Sequence, residues 1–371
     1  MSRHIVIGSR APMMDRSETD RLLGIQAVRG VAALMVVFYH ATRSLSMPQY
    51  LGKIAFGNYF GFGHAGVDFF FVLSGFIITY VHYNDIGQPH RIGRYTWRRL
   101  TRIYPIYWVI NLALIGRALL KSDPDGLLAP GNLTESFTLL PLGQTLLIGV
   151  AWTLEHEVVF YVLFGLAILN RTAGRVVMIA GLAAILGRQA VLADAGFGDV
   201  ALSPFNLQFL MGVGVARLVA TRAVPRPGLI AGLGVSLFAL AGTLDVAGLI
   251  AVNQLITVLL YGAASALIIA GIAAAETAGR IRCGRAAEVF GAASYVLYLI
   301  HPLIVGWIAR GLAASGLLWR IPEWAVVMIQ VAAALAAAIL LHRVIEQPIL
   351  RAMRGLERWH GQGRAASSCS R

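Results

Sequence analysis

The chain carries an arginine and a histidine inside an otherwise apolar run, GIQAVRGVAALMVVFYHA, with Arg29 near one end and His40 near the other. Eleven residues separate them. On a helix this returns to within about 20° of the same face and spans about 16 Å. Both polar groups therefore look the same way, at different depths, from a segment of Val, Ala, Leu and Met. An arginine at the centre of a bilayer helix costs about 2.5–3.5 kcal/mol on insertion scales, so such a residue faces a partner or a cavity. An imidazole whose ordinary pKa is about 6.5 can take a proton near neutral pH. The pair suits an active site or relay, with His40 as base and Arg29 holding an anion. The alternative is a snorkelling arginine and a histidine tied to a backbone carbonyl.

Four further constellations accompany this pair. GVDFFFVLSGF sets Asp68 and Gly75 seven residues apart, on one helix face. There Asp68 can orient His40, and Gly75 permits close helix approach. Arg91, Arg94, Arg98 and Arg102 form one basic stripe, with Arg99 beside it, running into Ile103-Tyr104-Pro105. Such a stripe meets anionic lipid headgroups or clamps phosphates. In WTLEHE, Glu155 and Glu157 differ by about 200° around a helix, so only one of them lines a given cavity directly. Glu155, which shares a face with Trp152 and Val159, is the favoured one. In SYVLYLIHP, Pro302 frees a backbone carbonyl inside an apolar segment, and the imidazole of His301 is placed to satisfy it.

These residues need membrane helices to hold them. Of 371 residues 57% are hydrophobic and 13% charged, about half the charge of a soluble domain. Ten apolar spans are expected, near 24–43, 66–84, 103–120, 152–169, 175–192, 204–221, 228–246, 250–274, 290–311 and 324–346. The third is short and aromatic, and 133–150 is apolar enough to dip into the membrane. The fold class is thus all-α, a polytopic integral membrane protein with about ten transmembrane helices. Residues 1–21 read as a cytosolic tail or an extension ahead of the native start, 22–350 as the membrane domain and 351–371 as a second cytosolic tail.

Assigning basic residues to alternate sides puts 23 with the N-terminal tail and the even-numbered loops and seven opposite. The positive-inside rule then places both termini in the cytoplasm. The formal net charge of +13 is explained by this topology and needs no nucleic-acid partner. The long outer loop, 121–151, can shape an entry from outside. Cys283 and Cys369, the only cysteines, give no disulfide framework and no metal spacing. The histidines lack ligand spacing, so no metal is expected.

Taken together, Arg29-to-His40, GVDFFFVLSGF, RRLTRIYP, WTLEHE and SYVLYLIHP resemble the membrane acyltransferase family 3, and within it the exopolysaccharide-acetylating branch. The likeness covers about residues 22 to 350. It implies a multi-pass enzyme of the bacterial inner membrane that takes an acyl group, commonly acetyl, from cytoplasmic acetyl-CoA. The acceptor would be a hydroxyl of an extracytoplasmic carbohydrate such as exopolysaccharide. By matching position His40 would be the catalytic histidine; the reading of the residues themselves adds Asp68 and Glu155, expected toward the same outer side, as its catalytic partners. Arg29, Arg98, Arg99 and Arg102 are donor-side residues, and Trp152 and His301 line the acceptor. The esterase-like domain fused to some members is not expected after the tenth span. Acceptor identity, direct transfer against an acyl-histidine intermediate, and association with copies of itself or with glycan-export machinery stay open. Two other classes compete: a proton-coupled transporter or flippase, and a scaffold in which His40 is dispensable.

Overall fold

The computed structural model describes residues 22–120, 126–191, 199–251, 254–281 and 284–355. The tail 1–21, the end of the chain from 356, and both cysteines lie outside the described residues. Among the described residues eleven α-helices succeed one another: α1 Leu23–Ser44, α2 Gly66–His82, α3 Ile92–Leu120, α4 Pro130–Thr138, α5 Trp152–Leu169, α6 Arg171–Val191, α7 Phe205–Thr221, α8 Pro227–Val246, α9 Leu255–Thr277, α10 Arg285–Ala314 and α11 Glu323–Leu341. Among the described residues nine helical stretches are long and apolar enough to cross a membrane. The stretch expected as the sixth span, α7, has 17 residues and falls short of that length. The chain is an all-α polytopic membrane protein.

Backbone hydrogen bonding dictates this architecture, because a spanning segment must satisfy its own N–H and C=O groups. Close helix packing then depends on small residues. Gly75 on α2 abuts the carbonyl of Phe209, and Gly212 on α7 abuts that of Val72. A methyl at either site would collide with backbone, so the approach of α2 to α7 requires both glycines. Gly291 does the same for α10 against Gln26 of α1. The start of α1 is capped from a distance: the Gly24 N–H donates to both oxygens of Glu276, at 2.9 and 3.1 Å. A carboxylate suits that end because a helix N-terminus carries orphan donors and positive potential.

Two segments take a form that the sequence does not specify. The third span is longer than expected. Helix α3 runs unbroken for 29 residues through Pro105, so its arginines and its apolar half share one rod. The stretch 133–150 is α-helical only at its start. Helix α4 ends at Thr138, with Leu139 in the left-handed region at φ 56°. Residues 139–148 are non-helical, and they lead into the 3-10 turn Gly149–Ala151.

This loop is bound to α3. Tyr104 Oη, Trp108 Nε1 and Asn111 Nδ2 donate to the carbonyls of Thr138, Phe137 and Ser136 at 2.7, 3.0 and 3.0 Å. Spacings of four and three residues put these donors on one face of α3, where they satisfy carbonyls that the end of α4 leaves without partners.

Candidate active site

Arg29 projects from α1 against α10. Its Nε donates to Ser294 Oγ at 2.8 Å and to the Gly291 carbonyl at 3.1 Å, and a terminal N–H also reaches that carbonyl. The close approach at Gly291 brings the guanidinium within reach. Beside it lies a cavity of about 140 Å³ whose lining includes Arg29, Arg99, Arg102, Glu157, Ser294 and Tyr298. Arg99 stands over the Tyr161 ring at 5.8 Å and Arg102 over Tyr295 at 5.5 Å. Arginine tolerates such sites because its planar cation stacks on aromatic faces and is weakly hydrated. Glu157 accepts from Ser74 Oγ at 2.8 Å and from Tyr161 Oη at 2.6 Å. Three guanidinium groups and one carboxylate leave the cavity net positive, as a phosphate-bearing ligand requires.

The arginines so assembled are not the stripe read from the sequence. Arg99 and Arg102, three apart, line the cavity with Arg29, while Arg98 does not. Of the two carboxylates in WTLEHE, the cavity takes Glu157 and not the favoured Glu155. Glu155 is 5% exposed and lies near Glu135 of α4. Helical periodicity separates the two glutamates but does not say which neighbour each one meets.

His40 is half-buried at the far end of α1. Its Nδ1 lies 3.0 Å from the Val36 carbonyl and 3.2 Å from Nε2 of His301. The two rings are 4.9 Å apart. Nδ1 of His301 lies 2.7 Å from the Tyr298 carbonyl and 3.2 Å from that of Leu297. His301 is fully buried. The Tyr298 ring, which lines the arginine cavity, is 5.9 Å from the His301 ring. The Tyr298 hydroxyl donates to the Val150 carbonyl at 2.9 Å and lies 2.9 Å from Thr153 Oγ1. Helix α10 thus joins the cavity to the histidine pair through Ser294, Tyr298 and His301, spaced four and three residues apart.

Asp68 makes no hydrogen bond to His40. Its Oδ1 accepts from Gln208 Nε2 of α7 at 2.6 Å, and that amide also donates to the Val258 carbonyl at 2.9 Å. Asp68 therefore ties α2 to α7 and α9, on the same face as Gly75. The partner that His40 does have, His301, is expected from the sequence to satisfy the carbonyl freed by Pro302 or to line the acceptor, not to meet His40. Trp152 lies outside the arginine cavity and 36% exposed. It packs on Phe71, His156 and Phe205 at ring distances of 5.4–6.1 Å. Sequence reasoning misses Glu135, Glu157, Ser294 and Tyr298 as site residues. For Ser294 and Tyr298 a signal is present, since both sit in the SYVLYLIHP segment one helix face from His301.

Among the described residues no cluster of three or more His, Cys, Asp or Glu side chains could hold a metal ion. No solved structure matches the chain. The exopolysaccharide production protein ExoZ of Rhizobium meliloti is 27% identical over 80% of this chain and 92% of its own length. Protein 2 in the picA locus of Rhizobium radiobacter is 29% identical over 39% of this chain and 82% of its own. A Staphylococcus aureus protein named as a candidate O-acetyltransferase is 26% identical over 38% of this chain and 24% of its own. The family model described as an acyltransferase domain matches residues 22–343, nearly the whole membrane bundle, and the chain therefore belongs to the acyltransferase 3 family of membrane O-acyltransferases.

Proposed function

We propose that this O-acyltransferase moves an acetyl group from cytoplasmic acetyl-CoA to a hydroxyl of an extracytoplasmic carbohydrate, an exopolysaccharide, in the bacterial inner membrane. The observation that carries the reading is the convergence of Arg29, Arg99 and Arg102 on one cavity that reaches Tyr298, next to the His301–His40 pair. The arginines suit the donor's phosphates, and apolar lining residues such as Val67, Phe70 and Ile77 suit a pantetheine arm. His40, three turns along α1 from Arg29, sits where the acyl end of such an arm would arrive. The 23-to-7 asymmetry of basic residues orients Arg29 toward the cytoplasm and His40 outward. The similarity to ExoZ, whose name ties that protein to exopolysaccharide production, supports the choice of acceptor.

In the transfer step, Nε2 of His40 takes the proton of the acceptor hydroxyl as its oxygen attacks the thioester carbonyl. The carbon–sulfur bond breaks, the acetyl group ends on the sugar oxygen, and the CoA thiolate leaves and recovers the proton from His40. Sealed inside-out vesicles test the sidedness. Acetyl-CoA added outside should acetylate an impermeant glycan loaded in the lumen and leave the same glycan in the outer medium unmodified. Equal acetylation of glycan added with the CoA would place both substrates on the cytoplasmic side and end the trans-bilayer scheme.

A further inference from the structure

The geometry points to His301 as a positioning residue: it holds His40 in the one neutral tautomer whose Nε2 carries a free lone pair, a role that deepens the proposed function and rests on it. The chain of constraints begins at Pro302. In a regular helix the N–H of residue 302 would bond the carbonyl of residue 298, but proline has no N–H. The Tyr298 carbonyl is thus left inside an apolar span, where an unpaired polar group is costly. Nδ1 of His301 fills the gap at 2.7 Å, with the Leu297 carbonyl at 3.2 Å. Carbonyl oxygens only accept, so this nitrogen carries the proton. In the neutral ring Nε2 is then an acceptor.

That acceptor lies 3.2 Å from Nδ1 of His40. The other neighbour of the same nitrogen is the Val36 carbonyl, at 3.0 Å, which as an i−4 carbonyl also serves the helix. Both neighbours accept, so Nδ1 of His40 must be the protonated nitrogen. Its Nε2 is left bare and has no hydrogen-bond partner among the described residues, on a side chain that is only half-buried. A base needs such an atom. When His40 takes a proton, the new cation keeps its Nδ1–H on His301, whose own Nδ1–H is fixed to Tyr298. The chain Pro302, Tyr298 carbonyl, His301, His40 does with an uncharged acceptor what a carboxylate does behind the histidine of a hydrolase triad. His301 is fully buried and its nitrogens are both occupied, so it has nothing left with which to hold a sugar.

Two side chains separate the functions of the two His301 nitrogens. An asparagine amide reaches about where Nδ1 sits and a glutamine amide about where Nε2 sits. His301→Asn should keep the Tyr298 carbonyl satisfied but lose His40. His301→Gln should present an oxygen to Nδ1 of His40. In ¹⁵N-histidine-labelled protein, with His40 assigned by its loss in His40→Ala, the native spectrum should show His40 protonated at Nδ1 and bare at Nε2. His301→Asn should add the Nε2–H form and lower kcat by about 10²-fold, the usual scale for a general base, with KM for acetyl-CoA within about twofold. His301→Gln should recover most of kcat. A native spectrum with the proton on Nε2 of His40, or unchanged kcat in His301→Asn, overturns the proposal. The native spectrum alone decides it if either variant fails to fold. Full activity in His40→Ala would instead defeat the functional reading, whichever tautomer the spectrum shows.

Discussion

His40 and His64 flank the same ring, Tyr39, with ring centroids 5.0 and 5.8 Å away. Their anchoring is opposite. Nε2 of His64 meets Asp245 Oδ2 at 2.7 Å, and the same carboxylate oxygen accepts from Tyr261 Oη at 2.9 Å. This network ties the turn Gly61–Ala65 to α8 and α9. His40 is held by a backbone carbonyl and a second histidine, and its other nitrogen has no hydrogen-bond partner among the described residues. A carboxylate–histidine pair linking three elements suits a fastener. A histidine with one bare nitrogen, on the helix face that also carries the cavity arginine, suits chemistry. Two polar clusters in one membrane bundle thus differ in what each leaves unsatisfied.

The largest effect among the surrounding residues is expected at Arg29. Arg29→Met removes a cation from the cavity and the donor to Ser294 and Gly291, and should lower kcat/KM for acetyl-CoA by about 10²-fold in a thiol-release assay, since charge-assisted hydrogen bonds contribute about 1.5–3 kcal/mol each. Arg102→Ala should raise KM for acetyl-CoA about tenfold and leave that of the acceptor nearly unchanged, with less effect at high salt. A shift in the acceptor KM instead would remove the arginines from the donor side. On the fastener side, Asp245→Ala should cost about 1–3 kcal/mol of stability by leaving His64 and Tyr261 without their acceptor. It should appear as a lower melting temperature with kcat within about threefold. Arg98→Ala is the mildest. Because Arg98 does not line the cavity, it should change KM for acetyl-CoA less than about twofold, and a change as large as that of Arg102→Ala would restore the stripe.

Much of this bundle is legible in the sequence because membrane helices announce themselves by length and hydropathy. The alignment of Arg29 with His40 follows from helical periodicity alone, and Gly75 is readable as a close-approach site. The pairings are not legible. Asp68 and Gln208 are 140 residues apart, and His40 and His301 are 261 apart. Periodicity fixes which side chains share a face but not which helix that face meets. By the same limit, helical periodicity separates Glu155 from Glu157 but does not say that Glu157 is the one at the cavity. The stripe is only partly gathered for a related reason: of the arginines on α3, the cavity takes Arg99 and Arg102, and spacing alone does not say which edge of the helix meets it.

In the proposed reaction His40, and not the adjacent His64, takes the proton in acyl transfer. The most direct measurement is one assay of purified protein in lipid, comparing His40→Ala and His64→Ala for CoA release in the presence of acceptor, each checked for intact folding by its elution profile. His40→Ala should lose about 10²-fold or more in kcat, while His64→Ala should melt earlier and keep kcat within about threefold. Near-normal turnover in His40→Ala, or an equal loss of kcat in a fully folded His64→Ala protein, would contradict this assignment.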